Sequence, residues 1–212
     1  MKKSKGFLAL ALAAGALSVA TAQASAASTY SVSPASTTLY GTLTGGPVVI
    51  IHGNITVKCT SSMMAIAGMS TTSASLPATF SAPAPWFGGC TGVVAGLPRP
   101  TTVSTAGSWS ATLGTTNYQG TINPINSGAT ITVGTCVITV NASTVAIEGR
   151  DAANVVPALG SPASYLTLNG SANVSTAGPC PTSTTASIVA DGSSVAGSTT
   201  GRYQLTGAIT EN

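Results

Sequence analysis

From Thr37 to Thr44 the chain alternates strictly, with Leu39 and Leu43 on one face beside Gly41 and with Thr38, Tyr40, Thr42 and Thr44 on the other. A period of two is the signature of a strand that buries one face. Arg202 to Ile209 repeats it: Tyr203, Leu205 and Ile209 point one way, Arg202, Gln204 and Thr206 the other. Between these ends, short runs of Val, Ile and Leu recur, separated by Ser, Thr, Gly, Asn and Pro. The pattern predicts strands at Val48 to Val57, Met63 to Met69, Thr101 to Ser104, Ser108 to Leu113, Thr130 to Val133, Cys136 to Ile147, Tyr165 to Val174 and Ser187 to Val195. Asn169-Gly170 and Asp191-Gly192 suit two-residue hairpin turns, and Gly45-Gly46-Pro47 marks another break. No segment past residue 26 carries a helix-period apolar stripe over several turns. The expected fold is all-β, a single antiparallel β-sandwich or barrel.

The first 26 residues read differently. Lys2, Lys3 and Lys5 precede an apolar run from Phe7 to Ala20, and small residues at Ala24-Ser25-Ala26 stand before Ala27. These are the three parts of a cleaved secretory signal helix, with cleavage expected after Ala26 and Ala24 as the alternative. The run is shorter than the roughly 20 residues a spanning helix needs. Residues 27–212 are then one secreted domain, with no transmembrane anchor after cleavage.

Charge changes the picture further. The formal net charge of +3 resides in the three leader lysines; beyond them Lys58, Arg99, Arg150 and Arg202 balance Glu148, Asp151, Asp191 and Glu211, and His52 is the single imidazole. A chain without a basic patch cannot neutralise a run of phosphates, so nucleic acid is not an expected partner. A Ser-His-Asp arrangement would have to use His52, which lies in a strand-like run and is expected at a strand end or facing solvent. Paired carboxylates could come only from the four acids named. Glu148-Gly149-Arg150-Asp151 reads as a solvated turn; its two carboxylates fall short of the six or more oxygens of a calcium site. No catalytic, cofactor or metal residue is assigned, and the expectation is a protein that is not an enzyme.

Four cysteines, Cys59, Cys90, Cys136 and Cys180, allow three complete pairings in an oxidising compartment. None has the close spacing of a zinc or redox motif. An internal echo favours one pairing. A cysteine in an apolar strand, Cys59 and again Cys136, is each time followed by a cysteine in a Gly context, Cys90 and then Cys180. If these are two related halves, Cys59 joins Cys90 and Cys136 joins Cys180.

Two segments are candidates for recognition. In Pro83-Ala84-Pro85-Trp86-Phe87, prolines stiffen a loop, and Trp86 and Phe87 either form an exposed ligand-binding pair or plug one end of the barrel. Trp109 is expected in the core. The second candidate is the Ser28 to Thr44 arm with Leu39 and Leu43. The predicted strands hold few of the charges that guard edges, so their edges must be closed in a barrel, covered, or paired with another copy. The arm either pairs within its own chain or completes a neighbour's sheet by strand exchange.

Ser31-Val32-Ser33-Pro34-Ala35-Ser36-Thr37-Thr38-Leu39-Tyr40-Gly41-Thr42-Leu43-Thr44, leading through a strand to Cys59, resembles the opening of the bacterial secreted proteins called protein activator of alkane oxidation, the PraB-like proteins. Cys90-Thr91-Gly92-Val93-Val94-Ala95-Gly96-Leu97-Pro98 is similar to that family's second-cysteine segment. The resemblance implies a small secreted or surface-exposed β protein linked to growth on hydrophobic substrates and to biofilm or cell-surface properties, with no catalytic residues. The expected function is therefore that of a self-associating structural protein of the cell surface or biofilm matrix. The alternative is a binding module for hydrophobic compounds or glycans through the aromatic loop.

Overall fold

The computed structural model describes residues 27–70, 72–124 and 129–212, so the expected signal helix lies outside the described residues. The described chain is all-β, and every ladder is antiparallel. In chain order the strands are β1 (Thr29–Ser33), β2 (Thr38–Thr44), β3 (Val48–His52), β4 (Ile55–Ala67), β5 (Ala74–Ser75), β6 (Ala78–Pro83), β7 (Trp86–Val94), β8 (Leu97–Arg99), β9 (Thr101–Thr105) and β10 (Ser108–Leu113). There follow β11 (Gln119–Pro124), β12 (Ala129–Val133), β13 (Cys136–Val140), β14 (Val145–Arg150), β15 (Pro162–Ala177), β16 (Thr185–Ala190), β17 (Ser194–Val195), β18 (Ser198–Thr199) and β19 (Arg202–Glu211).

The ladders close on themselves. From β2, successive hydrogen-bonded neighbours lead through β4, β6, β10, β11, β14, β15 and β19 back to β2. A second run joins β7, β4, β3, β16, β15, β13, β12 and β9, and β9 packs beside β7, where Gly92 leaves room for Thr101 and Val133. The two longest strands, β4 and β15, belong to both runs. Of the three ways to protect the edges, closure is the main one here. At the exposed β8, which pairs only with β7 among the described strands, Pro98 and Arg99 occupy the edge.

Sharing β4 has a consequence for its side chains. Ile55, Val57 and Cys59 are buried at odd positions, whereas Ser62, Met64 and Ile66 are buried at even ones. The inward face changes near Thr60, opposite Gly89, whose φ of 59° is open to glycine at little cost. Before this point β4 pairs with β3, and after it with β2. The core is one continuous cluster in which Leu39, Leu43, Tyr203, Leu205 and Ile209 all take part, as their alternation predicts; Trp109 joins them.

Several sequence-based expectations need correction. Val48 to Val57 is not one strand, because β3 and β4 are a hairpin with His52 opposite Ile55; Met63 to Met69 belongs largely to the same long β4. Cys136 to Ile147 divides into β13 and β14. Asn169-Gly170 lies inside β15 and makes no turn: a Cβ at Gly170 would sit 3.2 Å from the backbone nitrogen of Ala146, so this glycine serves the close approach of β14. Asp191-Gly192 is no hairpin turn either. After Ala190 the chain leaves the sheet, and the next hairpin, β17 with β18, turns at Ala196-Gly197.

Candidate functional site

The few ionisable side chains are where chemistry would have to reside. Glu148 and Arg150 are not in a solvated turn: both lie on β14, where they form a salt bridge across one intervening residue. Asp151 does begin a turn, and its carboxylate accepts the backbone N–H of Val155 at 2.9 Å. Arg202 stacks 4.5 Å above the Tyr165 ring and donates to Asp151 O and Asn154 Oδ1, tying that turn to β19. Lys58 donates to Ala196 O and Ser198 Oγ and so fastens the β17–β18 hairpin. His52 ends β3 as expected but does not face solvent. It is 1 % exposed, with Nδ1 3.0 Å from Thr185 O and Nε2 3.3 Å from Pro181 O, so neither nitrogen is directed at an open site.

Glu148 and Asp191 do share a shallow cleft of about 350 Å³, lined also by Gln119, Arg150, Thr167 and Asn169. Burial raises the Asp191 pKa, but hydrogen bonds from Ser193, Thr200 and Asn169 outweigh it and hold the carboxyl below its ordinary value. The cleft thus pairs one carboxylate with arginine and keeps the other ionised, the reverse of the raised acid that glycoside cleavage requires.

Sequence reasoning gave no sign of the buried pair at the chain's end. Glu211 is 0 % exposed; its Oε2 accepts the Tyr118 N–H at 2.6 Å, and its own N–H donates to Tyr118 Oη at 3.0 Å. Tyr118 O–H donates in turn to Ser161 O. Burial pushes the Glu211 carboxyl above the usual range, and its Oε1 has no partner. No group of three or more His, Cys, Asp or Glu among the described residues is arranged to hold a metal.

The cysteines pair as the internal echo suggests, Cys59 with Cys90 and Cys136 with Cys180. The disulfides, together with the lack of any helix among the described residues long and apolar enough to cross a membrane, are compatible with an extracellular or periplasmic protein.

Trp86 and Phe87 are not a loop. They open β7, and the alternation of the strand sends them to opposite faces. Phe87 packs against the core and lines an apolar cavity of about 30 Å³ with Met64, Trp109 and Tyr203. That volume suits about one water molecule, not an alkane chain. Trp86 stays 56 % exposed. It stands directly opposite Met63 of β4, and Met63 stands opposite Thr42 of β2, two residues from Tyr40. Met63 is 46 % and Tyr40 47 % exposed, so an apolar strip crosses three neighbouring strands on one outer face.

The N-terminal arm pairs within its own chain. β2 lies between β19 and β4, and β1 between β19 and β5, burying Tyr30, Val32, Leu39 and Leu43. β3 continues the line of β2 along β4, and the two are joined only by Gly45-Gly46-Pro47. Comparison of the chain with protein-family models, with curated proteins and with solved structures finds no match.

Proposed function

We propose that the protein is an exported, non-catalytic structural protein of the cell surface or biofilm matrix that self-associates by exchanging its N-terminal arm. The observation that carries this reading is the seat of the arm. β1 and β2 fill a slot between β19 on one side and β4 and β5 on the other, held there by strand pairing and by four buried apolar side chains. Gly45, at φ 81° with open space about it, supplies a hinge at the arm's root. An arm that swings out makes the same contacts in a neighbour's slot, so exchange sacrifices little beyond the entropy of association and is favoured by concentration.

The roles of the ionisable groups support the non-catalytic part. The acids, His52, Lys58, Arg150 and Arg202 each have structural partners. The link to alkane growth, implied by the resemblance to PraB-like proteins, enters as a property of the surface this protein builds; the apolar cavity beside Phe87, at about 30 Å³, is too small to hold an alkane chain.

Deleting Ser28 to Thr44 tests the reading. Sedimentation of the purified protein should show multimers for the full exported chain and none for the deleted one, and the segment added back as a peptide should bind and stabilise the deleted chain. A peptide with Leu39→Asp and Leu43→Asp should fail, because two carboxylates would be buried without partners. Multimers that survive the deletion would overturn arm exchange.

A further inference from the structure

The outer strip of β2, β4 and β7 has a feature that neither the core nor the arm requires. A Cβ placed on Gly88 would fall 2.6 Å from Trp86 Cζ2 and 2.8 Å from Ser61 Oγ. The benzo edge of the indole therefore reaches along the strand over Gly88, while the side chain as a whole stays 56 % exposed. Glycine at this site is what admits the ring there. An aromatic placed over a strand glycine is a known way to cover exposed backbone, and here it leaves an exposed aromatic surface.

The surroundings narrow what that surface can hold. Tyr40 lies two strands away and two residues along, roughly 12 Å from Trp86 by strand spacing, about the length of two linked sugar rings. Met63 bridges them, and the same face carries the hydroxyls of Thr42 and Ser61. None of these six residues bears a formal charge, which disfavours phosphates, nucleic acid and acidic polymers. Three apolar side chains are too few for a stable contact with a second copy, which takes about 20 to 30 residues from each partner. A purely apolar ligand would strip water from the hydroxyls without replacing their hydrogen bonds. A neutral sugar meets every requirement. The C–H face of the ring is the electropositive complement of the negative aromatic face, and its hydroxyls bond to the rim.

We propose that Trp86, Met63 and Tyr40 form a platform that binds a neutral, flat polysaccharide of the β-linked type, anchoring the protein to surface or matrix glycan. The proposal does not require arm exchange: an exchanged β2 pairing with the same β4 would set Tyr40 in the same place along the strip. Its test is retention of the purified, disulfide-intact protein on cellulose and on chitin, with hexadecane droplets and alginate as apolar and acidic controls. Trp86 emission should change with soluble cello- or chito-oligosaccharide, the buried Trp109 serving as a constant background. The expected result is retention on at least one of the two neutral polymers. Trp86→Ala and Gly88→Ala should each weaken that retention roughly tenfold or more, the loss of one stacked ring, with the circular-dichroism spectrum unchanged. Absence of wild-type retention on both polymers, equal retention by Trp86→Ala, or stronger capture by hexadecane would overturn it. So would a Trp86→Ala variant that loses its oligomers, since the strip would then face a second copy.

Discussion

Cys59 of β4 and Cys90 of β7 stand directly opposite one another in neighbouring strands, with Cα atoms 3.9 Å apart, and are joined by a disulfide. The bond fastens a ladder that already exists, immediately beside the point where β4 turns its inward face over. Cys136 and Cys180 close a second loop, of 44 residues against 31 for the first.

Replacing either pair by alanine should therefore lower stability by about 4 kcal/mol, the chain-entropy value for loops of this size. Urea unfolding of the two double variants is the measurement. A loss below about 1 kcal/mol for both would mean that the unfolded chain is already compact without them.

Glu211 predicts a pH dependence. Its folded pKa is raised, so as pH climbs past the ordinary carboxyl value the unfolded chain releases this proton first, and stability falls through the raised folded value. The contribution is fully present below the ordinary value. Asp191 acts in the opposite sense: its folded pKa is lowered, and the stability it lends disappears as pH falls below the ordinary carboxyl range. Melting temperatures across this range should show Glu211→Gln flattening the fall on the higher-pH side while leaving the acid limb in place. An unchanged profile in that variant would contradict the assignment.

Trp86 and Phe87, adjacent in sequence, should behave as unlike residues. Phe87→Ala should cost about 2 kcal/mol, since the ring is partly buried against the core and a full burial costs about 3 to 5. Trp86→Ala should change stability by less than about 0.5 kcal/mol, as befits an exposed side chain. Equal losses in thermal unfolding would place both rings on the core side.

How much of this was legible beforehand depended on whether a strand keeps one face to the core. Leu39 with Leu43, and Tyr203 with Leu205 and Ile209, keep it, and their period of two is plain in the chain. β4 does not: its burial passes from Cys59 to Ser62, so the pattern looks like two strands with a gap. Asn169-Gly170 carries the chemistry of a turn but answers to the nearness of β14, which only the folded chain creates. The cysteine pairing was visible as an internal echo. The strip was not, because Tyr40, Met63 and Trp86 become neighbours only through the registers of β2, β4 and β7. Glu211 gave no signal, since nothing near it in sequence marks a buried carboxyl.

Arm exchange is tested most directly by asking which chain's β2 pairs with a given β4. Tyr40 and Ala65 are directly opposed across that ladder. In a Tyr40→Cys, Ala65→Cys variant with the native disulfides kept oxidised, a short bis-maleimide joins the two positions wherever they are paired. At concentrations where the protein assembles, denaturing electrophoresis should then reveal a covalent ladder of dimers, trimers and higher species. Cross-linked monomers alone, at every concentration, would show that each arm stays in its own chain and would contradict the account.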